Sequence, residues 1–234
     1  MIPLRDNLPT RRAPVLTLII IGANAYVYLK EFLLGPWGSQ RFILYYGLIP
    51  CGLTAECEIV GRAFSPEVTL LTSMFVHAGF FHFAGNMLYL WIFGNNVEDS
   101  MGKIRFAIFY LLCGLGAAFV QIFVSPASRI PMVGASGAIS GVLGAYLLLF
   151  PHARVLTLIP LGFFTQLVEI PAVIVLGFWI VVQLFNGLLT FNFSGGGVAW
   201  FAHVGGFAVG MLLIGLFKRR TVPWGWQRRR MWYE

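Results

Sequence analysis

Charge is what this chain has least of. Charged residues make up 11% of its 234 positions and hydrophobic residues 58%, a balance far more apolar than that of an ordinary soluble domain. From Ile170 to Phe217 there is no Asp, Glu, Lys or Arg. Acidic groups are the rarer sign: the only aspartates are Asp6 and Asp99, and no His-Glu-x-x-His sequence occurs. Peptide hydrolysis inside a bilayer by an aspartyl route needs two intramembrane aspartates, and the zinc route needs that His-Glu-x-x-His pattern. Both are therefore excluded, and no metal or other cofactor is expected.

What is present is a succession of apolar runs. A spanning helix takes about 20 apolar residues, and the runs predict six spans near Val15–Leu34, Phe80–Val97, Phe106–Val124, Ser136–Phe150, Ile170–Phe191 and Val198–Phe217. The first is too long for a signal-peptide core and no small-residue cleavage site follows it, so it is expected to be retained. The fourth, bounded by Pro151, is short, which should sink Ser136 at its head below the outer surface. The apolar stretch Val155–Val168 contains Pro160 and Gly162 and lies between Arg154 and Glu169; it is read as interfacial rather than as a seventh crossing. A seventh crossing would put the heads of the Ser136 and His203 spans on opposite faces.

With both termini inside, the inner segments hold Arg5, Arg11, Arg12, Lys103, Arg105, Arg154, Lys218, Arg219, Arg220, Arg228, Arg229 and Arg230, against Lys30, Arg41, Arg62 and Arg129 outside. This is a strong positive-inside bias. The net charge of +7 is then explained by topology and anionic lipid, with no nucleic-acid partner implied. Three parts follow: a basic inner segment over residues 1–14, a six-span domain over 15–217, and a basic inner tail over 218–234 in which Trp224, Trp226 and Trp232 suit an interfacial anchor. The expected location is a multi-pass protein of a bacterial cell membrane with cytoplasmic termini. Cys51 and Cys57 share the outer loop Gly35–Thr72, where a disulfide and two free thiols are both open; the apolar Phe42–Tyr46 stretch there is suited to lie partly in the membrane.

Gly134-Ala135-Ser136-Gly137 heads one run and His203 heads another. Small residues such as Gly137, Ser140, Gly141 and Gly144 also serve close helix packing, so the serine motif alone is weak. An ionisable residue within a span is costly and is a functional candidate by default, and Gly206 and Gly210 follow His203 at helical spacing, a smooth face on which the serine helix could pack. A serine route needs a nucleophile, a base and donors for an oxyanion. His82 and Asn86, four apart, share one helix face near the outer side, and both can donate hydrogen bonds; a structural pair bridging two helices is the alternative. His77 and His82 diverge around a helix, which disfavours a metal site. Glu98, a full span from Ser136, is assigned to structure, pairing with Lys103, Arg105 or helix-end amides.

These elements together resemble the rhomboid family of intramembrane serine proteases. The likeness runs through His77-x4-His82-x3-Asn86, Gly94-x3-Glu98-x3-Gly102, Gly134-Ala135-Ser136-Gly137 and Ala202-His203-x2-Gly206-x3-Gly210. It implies an all-α membrane protein, a six-transmembrane-helix bundle, acting on transmembrane protein substrates within the lipid bilayer. By the resemblance Ser136 is the nucleophile and His203 the general base. His82, Asn86 and the Ser136 amide hold the oxyanion, and His77 supports the outer loop and the site. It also suggests the fifth span as a gate, where Phe178, Trp179 and Phe185 fit either gating or plain lipid contact. Two features depart from the family pattern. A Trp-Arg pair is missing from the outer loop, and Ser140 stands where some members have a tyrosine under the histidine. With no acidic residue to complete a triad, a Ser-His dyad is expected. A non-cutting relative would have lost the serine or histidine, and a channel or transporter would show an inverted repeat or a charged pore ring.

Overall fold

The computed structural model describes residues 1–59, 64–161, 164–190 and 198–225. The expectations at Arg62, Gly162, Phe191, Trp226, Arg228, Arg229, Arg230 and Trp232 lie outside the described residues. The principal helices are α1 (Val15–Leu33), α2 (Gly35–Tyr46), α3 (Phe80–Met101), α4 (Lys103–Val124), α5 (Ser136–Leu149), α6 (Ala172–Thr190) and α7 (Trp200–Phe217). All but α2 coincide with the expected apolar runs. Among them α1, α4, α6 and α7 are each long and apolar enough to cross a membrane, and α3 reaches that test as the second arm of a helix bent by 78° from Pro66–Phe75. At 14 residues, α5 is about 21 Å long against a hydrocarbon core of about 30 Å. The chain is thus a multi-pass helical bundle whose serine-bearing helix is its shortest apolar member.

The bundle is organised around α7, which packs on α4, α5 and α6. Its contact with α5 is made through backbone. A Cβ at Gly206 would fall on the carbonyl oxygen of Gly137, one at Gly210 on that of Gly141, and one at Gly144 on that of Phe207. Residue numbers rise together along this seam, so α5 and α7 run parallel and their heads meet. Small residues at such a seam let dispersion and weak Cα–H···O contacts replace the hydrophobic drive that lipid does not supply. On the third side Gly141 meets Cys113 and Gly137 meets Ala117, both of α4.

The Val155–Val168 stretch does not cross the bundle. It forms β2 (Arg154–Leu161) and β3 (Phe164–Pro171), an antiparallel hairpin that β1 (Ile2–Asp6) joins to give a three-stranded sheet in the order β1-β2-β3. Pro160 precludes a continuous helix here. Val155 and Thr157 of β2 point inward and are fully buried, the alternation of a half-buried strand, while β3 is exposed along residues 164–169 on both of its faces.

Polar groups tie the two ends. At the basic end, Glu98 accepts hydrogen bonds from the Leu16 and Thr17 amides (3.0 and 2.8 Å) and the Thr17 hydroxyl (2.8 Å). It thereby caps α1 from another helix, where Pro14 offers no side-chain cap. Asp99 accepts from the Arg11 amide at 2.9 Å, and the Arg219 amide donates to Ser100 at 3.0 Å. At the other end, buried Glu31 accepts from Ser39 Oγ (2.9 Å) and the His77 amide (3.2 Å), joining α1, α2 and the approach to α3. Cys51 and Cys57 are bridged. The Cys51 amide donates to Ser128 at 3.0 Å, and Leu48 and Met132 exchange backbone bonds of 3.0 and 2.7 Å. These bonds anchor the outer loop without a Trp-Arg pair.

Asp6 fastens the sheet to the bundle, its Oδ2 accepting from Tyr146 Oη and Asn96 Nδ2, each at 2.6 Å. Burial pushes its carboxyl up to about 6, outweighing the lowering effect of the hydrogen bonds from Tyr146, Leu8 and Asn96. A folded-state value above the unfolded one makes its contribution to stability full below the unfolded value near 3.8 and lost as pH rises through about 6. The loss is on the order of 2–3 kcal/mol. Thermal unfolding in detergent should therefore show that Asp6→Asn gains stability relative to the parent between about pH 4 and about pH 6. An unchanged difference across that range would contradict the assignment.

Candidate active site

Ser136 is the first residue of α5, and the chain arrives there under tight backbone control. Met132 is paired with Leu48, and the Gly134 amide donates to the Ser73 carbonyl at 2.8 Å. Gly134 has φ +117°, a conformation that side chains disfavour. The turn from loop to helix leaves the first-turn amides of α5 with no side-chain cap, the positive end of the helix beside the serine hydroxyl.

His203 sits one turn into α7, whose start is stabilised by Gln121 of α4, the side-chain oxygen accepting from the Ala202 amide at 3.1 Å. Because the glycine seam brings the two helix heads together, His203 Nε2 lies 2.8 Å from Ser136 Oγ. The other ring nitrogen, Nδ1, lies 2.8 Å from Oε1 of Gln183 on α6. Trp179, one turn earlier on α6, has its ring centroid 5.9 Å from that of His203 at a tilt of 34°, and Trp200 stands perpendicular at 6.3 Å. The imidazole is thus held by an amide and two indoles, while Ser140 is turned away, its hydroxyl donating to the Ser136 carbonyl at 2.6 Å. Gln183 was not singled out from sequence. A side-chain amide within an apolar run was the available signal, but α6 also carries Asn186, and nothing local tied Gln183 to a histidine 20 residues on.

His82 and Asn86 come to the same place from α3. A Cβ on Gly134 would lie 2.7 Å from His82 Nε2 and 3.4 Å from Asn86 Nδ2, so both side chains converge on the backbone just before Ser136. The Ala78 amide donates to His82 Nδ1 at 3.3 Å, which leaves the proton of a neutral ring on Nε2, facing Gly134. Asn86 Nδ2 is buried with no hydrogen-bond partner, a costly arrangement in a folded protein unless an acceptor arrives there. Two donors and the head of a helix therefore surround one spot. Behind them buried His77 packs edge-on against His82 (5.2 Å) and Phe83 (5.5 Å), and its Nδ1 donates to the Phe75 carbonyl at 3.3 Å.

Ser136, His203, His82 and Asn86 all line one cavity of about 1450 Å³. Its walls include Ser125, Ser128 and Arg129 of the loop leading to α5, which give it a polar mouth, and Trp179 and Gln183 of α6. Among the residues that sequence offered as gate candidates, Trp179 reaches this cavity, whereas Phe178 and Phe185 are exposed on the outer surface of α6. Glu98 caps α1 at the opposite end, as its assignment to structure required.

Comparison with known proteins gives a consistent picture. Residues 66–220 match the family model described as the Rhomboid domain. The chain is 32% identical over 231 residues to RHOMBOID-like protein 1 of Arabidopsis thaliana, covering 94% of this chain and 52% of that one. It is 29% identical over 224 residues to the mitochondrial Rhomboid protein 1 of Saccharomyces cerevisiae, covering 92% and 56% respectively. Over 161 residues it is 34% identical to Rhomboid protease GluP of Bacillus subtilis, covering 65% of this chain and 28% of that one. The chain spans about half the length of the first two relatives. Relatives from yeast, a plant and a bacterium do not single out the bacterial membrane expected from sequence.

The crowding at Gly134 yields a direct test. Gly134→Ala adds a methyl group at a positive φ and against the His82 ring, which should cost about 1–3 kcal/mol in stability. It should also slow fluorophosphonate labelling of Ser136 at least about tenfold. Labelling at the parental rate would mean that His82 and Asn86 do not act on the space beside Ser136.

Proposed function

The chain belongs to the rhomboid family, and on that premise we propose that it is an intramembrane serine endopeptidase that cleaves single-span membrane proteins near the outer side of the bilayer. The observation that carries the proposal is the 2.8 Å contact between His203 Nε2 and Ser136 Oγ at the joined heads of two parallel helices. Neutral His203 accepts the serine proton as Oγ attacks the client carbonyl carbon. The carbonyl oxygen, now an oxyanion, receives hydrogen bonds from His82 Nε2, Asn86 Nδ2 and the Ser136 amide. Collapse expels the amine fragment with the proton from His203, and a water deprotonated by the same imidazole releases the acyl fragment. That water comes through the polar mouth of the cavity, while the client helix arrives laterally from lipid.

Location follows from charge and geometry. Arg11, Arg105 and Arg219 meet at the end opposite Ser136, through Asp99, the Phe217 carbonyl and Ser100, so that end is read as the inner, cytoplasmic side and the reaction is on the outer side. Since a helix hides its carbonyls in hydrogen bonds, the client unwinds locally before attack. A small residue before the cut bond fits the family resemblance and the crowded, glycine-rich surroundings of the serine.

Ser136→Ala and His203→Ala should each abolish cleavage in detergent and in lipid without altering the unfolding temperature by more than a few degrees; turnover by purified Ser136→Ala, with contamination excluded, would end the proposal. His82→Ala and Asn86→Ala should lower kcat by about 10²–10³-fold with little change in KM, and an unaltered kcat in both would return the pair to a structural role. Mass spectrometry of both fragments from a client of known orientation locates the cut. A scissile bond near the inner boundary is incompatible with this arrangement.

A further inference from the structure

Among the described residues nothing acidic contacts His203, yet a base needs one defined tautomer, and the pattern of donors and acceptors around Gln183 supplies it. Gln183 is 6% exposed, and its Nε2 donates to the Trp179 carbonyl one turn back at 3.3 Å. That backbone oxygen can only accept, so the amide nitrogen must face it and the amide oxygen must face His203. Oε1 in turn can only accept, so the proton of a neutral His203 resides on Nδ1 across the 2.8 Å contact. Nε2 is then left with its lone pair toward Ser136 Oγ, also at 2.8 Å. The opposite tautomer would set two lone pairs against each other at Nδ1 and offer the serine a donor where it needs an acceptor.

We propose that Gln183 is the positioning residue of the reaction, a neutral amide that fixes the Nδ1–H tautomer and the ring plane of His203 in the place a triad gives to a carboxylate. This rests on the Ser136 and His203 reading above. The reason for an amide is physical: an ionised carboxylate among the apolar residues of α6 would carry a large desolvation penalty, whereas an amide satisfied at both ends carries little. As imidazolium forms, the Gln183 dipole stabilises it without a net charge. The contact also joins the base to α6 rather than to either helix of the glycine seam, so the catalytic geometry depends on α6 keeping its place.

The test compares Gln183→Met, similar in size but with no comparable acceptor, with Gln183→Glu, which keeps an acceptor oxygen. Gln183→Met should lower kcat at least about tenfold with KM little changed. Gln183→Glu should restore most of that loss and move the alkaline-rising limb of the kcat/KM profile to higher pH, because a carboxylate beside the ring favours the imidazolium. Selective ¹⁵N-histidine labelling, with His203→Ala to assign the signal, should show the Nδ1–H tautomer in the parent protein. A parental kcat in Gln183→Met, a Gln183→Glu variant as impaired as Gln183→Met, or an Nε2–H tautomer in the parent would each overturn the proposal. Ser136→Ala keeps the two readings apart: if it retains turnover the protease reading falls, and if it is inactive while Gln183→Met is unimpaired only the role of Gln183 falls.

Discussion

The close approach of α5 and α7 is the constraint on which the rest of the structure depends. With Gly206 and Gly210 pressed against the carbonyl oxygens of Gly137 and Gly141, the two backbones cannot be separated by even one methyl group. In lipid, where apolar surface gains little by contacting other apolar surface, such proximity is what makes helix association favourable. It also sets a register, and the register decides that the head of one helix meets the head of the other. A serine at one head and a histidine one turn into the other then fall within a hydrogen bond of each other.

Around that pair the polar groups are arranged so that each has one available direction. His203 is bounded by Gln183, Trp179 and Trp200, His82 is turned by the Ala78 amide, and Asn86 keeps an unfilled donor in a buried position. In a surrounding of low dielectric these neutral hydrogen bonds hold orientation strongly, which explains how His203 is ordered although no acidic side chain contacts it among the described residues. The unfilled donor at Asn86 costs stability in the free protein and is the kind of local sacrifice expected where an acceptor forms during a reaction.

The scaffold below the site is independent of it and differently built. Glu98, Asp99 and Asp6, three of the chain's nine acidic residues, are all used at the basic end to fasten α1, the N-terminal segment and the sheet. At the other end Glu31 and the Cys51–Cys57 bridge hold the outer segments against the bundle. Acidic groups are so few in this chain that nearly every buried one marks a joint between separate elements.

Sequence by itself determined the apolar, multi-pass character, the helical runs and the residue types at the heads of α5 and α7, because those follow from hydropathy and spacing along a single segment. It also assigned Glu98 to structure and gave Val155–Val168 no spanning helix, although its strands were not foreseen: pairing with Ile2–Asp6 joins segments some 150 residues apart, which no local period reports. The disulfide was left open for the same reason, since two cysteines six residues apart are compatible with either state until the turn between them is known. Tertiary structure alone decided how His203 is held. Gln183 shares α6 with Asn186 and Thr190, and its meaning depends on which face α6 turns to α7, on the Trp179 carbonyl accepting from its nitrogen, and on Nδ1 lying within reach of its oxygen. A hydrogen bond between side chains is set by distances of a few tenths of an ångström, and those are properties of packed helices rather than of any one of them.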